Sequence, residues 1–258
     1  MDALSLHQVW VEYGDKIVLE RVNLKVAPGS FVSIIGPSGA GKTTLLRLIL
    51  GQEAPTRGKA ALFGELLRAE PGPDRGVVFQ RYSVFPHLNA RENVVFGLEC
   101  AGSALRGRLW GRKRRDALDA ADAMLAAVGL KDARKVFPAQ MSGGMQQRVA
   151  IAQALIMKPK VLLLDEPFGA LDPGVRVDMH GLITQIWGEF GLTIFMVTHD
   201  IKEAFALGTR VLALDKPRID EQAPHRYGAT IVYDMSMDKK VRAELPPEIA
   251  AISGEAAS

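Results

Sequence analysis

Residues 31–51 read FVSIIGPSGAGKTTLLRLILG. The first five are a short apolar run of the kind that makes a buried strand. From Leu45 the apolar residues recur at helical spacing, and Gly51 stands where a helix-ending glycine belongs. Between strand and helix lie glycines 36, 39 and 41, followed by Lys42 and Thr43. A strand, a glycine-rich loop and a helix start in that order predict a backbone cradle for an anion. Glycines let N–H groups approach closely, and the helix N-terminus adds a positive end.

The spacing fits G-x-x-x-x-G-K-[ST], the phosphate-binding loop of nucleoside triphosphatases. Gly36, Pro37, Ser38, Gly39, Ala40, Gly41, Lys42, Thr43 and Thr44 are therefore candidate ATP-binding residues. Lys42 is expected on the β- and γ-phosphates, and the Thr43 hydroxyl on Mg²⁺.

Working outward, VLLLDEP (161–167) is a second buried strand ending in two carboxylates. An acid at a strand's carboxyl end beside such a loop is placed to hold the metal, which assigns Asp165. Glu166 then has a separate task, orienting or deprotonating an attacking water. TIFMVTH (193–199) places His199 just past another strand, on the same rim, where it is expected to touch the γ-phosphate. Gln80 follows GVVF (76–79) in the same way. Its neutral amide can ligate Mg²⁺ or position water.

The rest of the chain alternates strands and helices, which predicts a mainly parallel sheet with helices on both faces. Before it, Val9, Val11 and Tyr13 alternate, as do Val22, Leu24 and Val26, across a turn at Gly14-Asp15. These read as an N-terminal antiparallel pair. Residues 86–135 read as helical. Asn89 and Glu92 form a capping box, Leu118, Ala121, Leu125 and Val128 share one face, and Gly129 closes the helix. A further helix follows Ser142, its N-cap, yet it opens with Gly143 and Gly144, where glycine costs about 0.5–1 kcal/mol relative to alanine. Helices are also expected near 175–190 and after Asp200, whose partner in a second capping box is Glu203. RVLAL and ATIVYD are expected to return to the sheet.

Composition sets limits. The chain has 258 residues, a net charge of +3 and one cysteine, Cys100. No apolar run approaches the roughly 18 residues of a membrane span. The N-terminus has no basic region of the signal-peptide type. A lone cysteine forms no internal disulfide and fits a reducing compartment. The mild positive charge does not by itself point to nucleic acid. Basic residues cluster once, from Arg106 to Arg115. That cluster reads as a solvated helix start, with an anionic membrane surface or a nucleic-acid backbone as the functional alternatives. Trp110 stands alone there, so nothing supports stacking on single strands, and no nucleic-acid partner is expected.

Taken together, these stretches resemble the nucleotide-binding subunits of ATP-binding cassette (ABC) transporters over about residues 5–215. GPSGAGKT looks like Walker A and VLLLDEP like Walker B with its catalytic glutamate. MSGGMQQR (141–148) looks like the family signature, GALD (169–172) like the D-loop, FQ (79–80) like the Q-loop, and His199 like the switch histidine. Tyr13 sits where the family stacks an aromatic on adenine. Met145 stands where glutamine is commoner.

The resemblance implies an α/β fold: a P-loop NTPase core, an N-terminal antiparallel β-subdomain and an inserted helical subdomain. It implies one ABC ATPase domain over 1–235, with the helical part at about 86–158 and a partly disordered tail at 236–258. It also implies ATP hydrolysis with Mg²⁺ held by Thr43, Gln80 and Asp165. Glu166, His199 and Gln80 are the implied catalytic residues. Ser142, Gly143, Gly144, Met145 and Asp172 are implied to contact ATP held by a second subunit, either another copy or a paralogue. Two ATP molecules would be sandwiched between the two subunits, which explains a second glycine-lined helix start in a chain that already has one.

Further implied partners are transmembrane permease subunits, docked through about residues 80–99 with Tyr82 and Phe85 exposed, and indirectly a solute-binding protein. The implied location is the cytoplasmic face of the cell membrane, peripherally bound. VFQRYSVFPHLNARENVVFGLE and DEPFGALD look most like the importers of nitrate, sulfonate and bicarbonate. The alternatives are a soluble ABC ATPase on ribosomes or DNA, and a P-loop kinase. The single signature and the 100 residues from Lys42 to Ser142 (142 − 42) argue against the first. The second has no use for the signature or the D-loop.

Overall fold

The computed structural model describes residues 1–80, 84–102, 109–218, 220, 222–223 and 225–237. Tyr82, the start of the basic cluster and the tail beyond 237 lie outside the described residues. The chain divides into two compact units: Met1–Gly72 with Leu163–Glu166 and Trp187–Ser258, and Pro73–Leu162 with Pro167–Ile186.

The first unit opens with β1 (Leu4–Tyr13) and β2 (Lys16–Val26), paired antiparallel with Tyr13 opposite Lys16. Gly14 turns the chain at φ 57°. β4 (Arg57–Leu62) pairs with β1, and β5 (Glu65–Leu66) with β4, giving the order β2-β1-β4-β5. The hairpin matches the expectation from sequence, whereas β4 and β5 are additional strands. RGKAAL has only two fully buried side chains, too weak an alternation to stand out.

Parallel pairing appears where it was expected. Every residue of β3 (Phe31–Ile35) is buried. β3 pairs in parallel with β8 (Thr193–Val197) and β9 (Arg210–Asp215), with Ile34 opposite Val197 on one side and Leu212 on the other. β10 (Thr230–Ser236) returns antiparallel to β9. β8 stops at Val197, leaving Thr198 and His199 in the loop beyond.

α1 (Lys42–Leu50) starts at Gly41 and ends at Gly51, both left-handed. α6 (Ile201–Leu207) is capped by Asp200, whose carboxylate accepts the Glu203 N–H at 3.1 Å. The buried Glu203 carboxylate accepts the Thr198 hydroxyl at 2.5 Å, and the Asp200 N–H donates to Thr198 Oγ1. A buried carboxylate needs a strong donor, and the loop supplies one from behind.

The second unit holds β6 (Arg75–Val78), α2 (Ala90–Gly102), α3 (Gly111–Ala127), α4 (Gly143–Leu155) and most of α5 (Pro173–Phe190). β7 (Val161–Asp165) begins here, where the Val161 N–H donates to Asp74 O, and ends in the first unit. The first capping box is complete: Asn89 N–H donates to Glu92 Oε2 and Glu92 N–H to Asn89 Oδ1, both 3.0 Å. Gly129, at φ 75°, follows the α3 cap as expected.

Buried Asn93 went unnoticed in the sequence. Its side chain accepts the Phe85 N–H and donates to the carbonyls of Phe85, Leu88 and Asn89, tying the loop before α2 onto the helix. Phe85 is half-buried against Phe96, with ring centroids 4.6 Å apart, so it is less exposed than expected.

Candidate active site

The site grows from the carboxyl end of β3. Gly36 leaves the strand at φ 148°, and a Cβ there would lie 2.2 Å from the Leu214 carbonyl oxygen. Only glycine fits. The chain then winds through 37–41 into α1, whose first turn carries no acid to compete for an anion. Residues Gly36–Thr44 line a cavity of about 500 Å³, together with Tyr13, Lys16, Arg47, Glu166, His199 and Lys216.

Lys42 Nζ donates to the Gly36 carbonyl at 2.7 Å and to the Pro37 carbonyl at 2.9 Å. Its ammonium is thus held over the loop it belongs to. Burial lowers its pKa, opposed by the charges of Glu166 and Asp165. Asp165, at the end of β7, is pushed the other way. Burial and the neighbouring Glu166 raise its pKa, while the Thr43 hydroxyl bond, Arg47 and Lys42 lower it.

Glu166 is a non-glycine residue at φ 47°, a left-handed conformation that is strained for a side-chain-bearing residue and clusters at functional sites. Its N–H donates to the Val197 carbonyl on β8 at 2.9 Å. Its carboxylate Oε2 lies 3.4 Å from His199 Nδ1. Glu166 is half-buried and His199 exposed. Tyr13 is 44% exposed on the cavity rim. Its phenol pKa is raised by burial and by a hydrogen bond with Glu53, and lowered by a hydrogen bond with Thr44.

The first unit therefore brings together Tyr13, Gly36–Thr44, Asp165, Glu166 and His199. Gln80, Ser142–Met145 and Asp172 belong to the second. Gln80 and Asp172 are exposed. Ser142 caps α4 as expected, its Oγ accepting the Met145 N–H at 3.3 Å. Gly143 is half-buried, but Gly144 is buried, and a Cβ on it would lie 2.6 Å from Val175 Cγ1 on α5. One of the two glycines thus has a packing reason inside its own chain.

Lys16, Arg47 and Lys216 line the cavity in addition to the residues expected from sequence. Lys216 follows β9 directly, so the strand-end rule that found Glu166 and His199 would have found it too. A neighbouring cavity of about 610 Å³ shares Lys16, Lys216 and Pro37–Ala40, and adds Asp215 and His225. His225 reaches this place because its carbonyl accepts the Ile17 N–H at 3.0 Å.

A phosphate-binding loop between a buried parallel strand and a helix, faced by strand-end carboxylates, defines a P-loop nucleotide-hydrolysing protein. The model of the ABC transporter family matches residues 19–169, more than half the chain. The nitrate import ATP-binding protein NrtD of Synechocystis is 42% identical over 215 residues, 83% of this chain and 77% of that protein. The taurine import ATP-binding protein TauB of Escherichia coli O157:H7 is 40% identical over 231 residues, 89% of this chain and 87% of that one. The ATP-binding cassette MJ0796, solved as a dimer in a post-hydrolysis state with ADP and Pi, superposes with a TM-score of 0.71 at 31% identity, covering 91% of this chain and 99% of that one. The chain belongs to the ABC transporter family, as an ATP-binding and ATP-hydrolysing member.

Proposed function

We propose that this chain energises import of a small anion through a membrane permease, as a peripheral subunit on the cytoplasmic face that works as an ATP-sandwich dimer. The observation that carries the hydrolytic part is Glu166. Its left-handed backbone aims a carboxylate to within 3.4 Å of His199, on the wall of the cavity lined by Lys42 and Thr43. The whole of residues 1–235 acts as one ATPase domain, the helical stretch at about 86–158 being inserted in it.

In this reading Gly36–Thr44 wrap the phosphates, and Lys42 exchanges its two carbonyl partners for phosphate oxygens. Tyr13 carries the adenine, and stacking there fixes position more than base identity. Lys16 and Lys216 add positive charge to the same cavity. Glu166 accepts a proton from the attacking water. His199 holds the γ-phosphate and keeps the Glu166 carboxylate oriented.

The Thr43 hydroxyl beside the Asp165 carboxylate is an all-oxygen pair that suits a hard cation. The two residues would hold Mg²⁺, and when bound the ion would neutralise phosphate charge. Ser142, Gly143, Gly144, Met145 and Asp172 would meet ATP held by the second subunit, a copy or a paralogue.

No helix among the described residues is long and apolar enough to cross a membrane. The proposed assembly includes permease subunits, which residues at about 80–99 would engage, and a solute-binding protein upstream. Nitrate, named for one relative above, is a small oxyanion, and taurine, named for the other, carries a sulfonate group; this supports an imported solute that bears an oxyanion group. Reconstituting the chain with its permease and binding protein in vesicles tests the reading. ATP-dependent uptake of nitrate or an alkyl sulfonate is expected. ATP hydrolysis that no such solute stimulates would overturn the substrate class.

A further inference from the structure

The start of α3 breaks two rules at once. A helix N-terminus is positive and favours acids. Here the first turn has no acid; Arg112, Lys113 and Arg114 lie in it, and Arg115 follows directly. Arg114 is accounted for by Glu99, 3.4 Å away on α2. Among the described residues Arg112 reaches Asp116, at 4.0 Å with both side chains exposed. Lys113 and Arg115 are exposed.

The N-cap residue is Trp110, which makes no side-chain cap and is 70% exposed. Its exposure is imposed by its neighbour. Leu109 is buried and packs so closely on Gly102 that a Cβ there would sit 2.8 Å from it. In the extended backbone at Trp110 (φ −129°, ψ 156°), successive side chains point opposite ways. Anchoring Leu109 inward therefore presents Trp110 outward, beside three cations the helix itself disfavours.

We propose that Trp110, Arg112, Lys113 and Arg115 contact the headgroup region of an anionic phospholipid leaflet. Charge complementarity selects the occupant. Juxtamembrane cations gain from an anionic leaflet what they lose to the helix dipole. Tryptophan, apolar with one N–H donor, favours the membrane–water interface. Nucleic acid fits less well, because one tryptophan is no stacking platform. The proposal rests on the transporter reading only for bringing the chain near a membrane, and it uses no residue of the ATP site.

Sedimentation of the full chain with vesicles tests it, using phosphatidylcholine alone and phosphatidylcholine mixed with phosphatidylglycerol. Partitioning about tenfold stronger onto the anionic vesicles is expected, weakening as salt rises. The charge reversal R112E/K113E/R115E should reduce binding to the phosphatidylcholine level. The uncharged change Trp110→Ala should lower it several-fold while leaving the charge intact. Both variants should hydrolyse ATP at the normal rate, which separates this proposal from the ATPase reading. Equal binding to both compositions, or unchanged binding of the charge-reversed chain, would overturn it. So would RNA displacing the chain from anionic vesicles through the same residues.

Discussion

Glu166 Oε2 and His199 Nδ1 lie 3.4 Å apart, just beyond the carboxyl ends of β7 and β8. The same strand pairing sets both residues. The Glu166 N–H donates to the Val197 carbonyl, two residues before His199. The left-handed backbone at Glu166 then swings its side chain toward the histidine. A strand continuing straight would have placed it elsewhere.

Glu166→Gln keeps the shape and the backbone requirement and removes the basic oxygen. ATP binding should persist while hydrolysis drops by about 10²–10⁴-fold. Near-normal phosphate release by this variant would remove Glu166 from the reaction. With ATP the same variant should run as a dimer on size exclusion.

Lys42→Ala should abolish measurable ATP binding without unfolding the chain, since Nζ bonds two carbonyls of its own loop. Titration with a fluorescent ATP analogue checks this. Unchanged affinity would refute the phosphate-binding assignment of the loop.

Lys216 contributes one partly exposed charge to the cavity wall. Lys216→Ala should weaken ATP binding by about three- to tenfold, the scale of one charge acting across a few ångströms near the surface. Adenosine, lacking phosphates, should bind the variant and the parent alike. Equal loss for both ligands would point to a folding defect instead.

Gly144→Ala should destabilise the isolated chain by about 1–3 kcal/mol through overpacking against Val175. Adding Val175→Ala should restore part of the loss in thermal melts. A wild-type melting temperature for Gly144→Ala alone would mean that Val175 gives way freely. A clean test of contact between subunits therefore uses Ser142, which is exposed, in place of Gly144.

Asp122 receives Arg91 through Nε at 2.7 Å and Arg134 at 3.3 Å. The Arg91 hydrogen bond leads the causes that hold its carboxyl below the usual range. Its native pKa is thus below the unfolded value of about 3.9. The stabilisation is fully present above the unfolded pKa and is lost as pH falls through the native one. These groups are partly exposed, so Asp122→Asn should cost only about 0.5–1 kcal/mol at neutral pH. The gap between variant and parent should shrink in denaturant melts as the pH falls below about 4. A constant gap across that range would contradict the ion-pair origin.

Much of this was legible without coordinates because it is local. The apolar run, the glycine spacing and the lysine at 42 occur within a dozen residues. The Asn89–Glu92 box and the Ser142 cap are closed by residues three apart. The short strands β4 and β5 were not legible, since their half-exposed pattern differs little from a loop. Nor was the role of Asn93, whose four bonds only make sense once the loop at 85–89 folds back on α2.

Strand, loop and helix follow from spacing and propensity along the chain, and so did the list of strand-end residues. Their meeting required the sheet. Parallel pairing of β3 with β8 and β9 carries Lys42, His199 and Lys216 to one rim. Strain at Glu166, the Val175 methyl beneath Gly144 and the outward Trp110 are equally tertiary facts. Each depends on which distant atom occupies the space beside a residue, and linear order does not specify that.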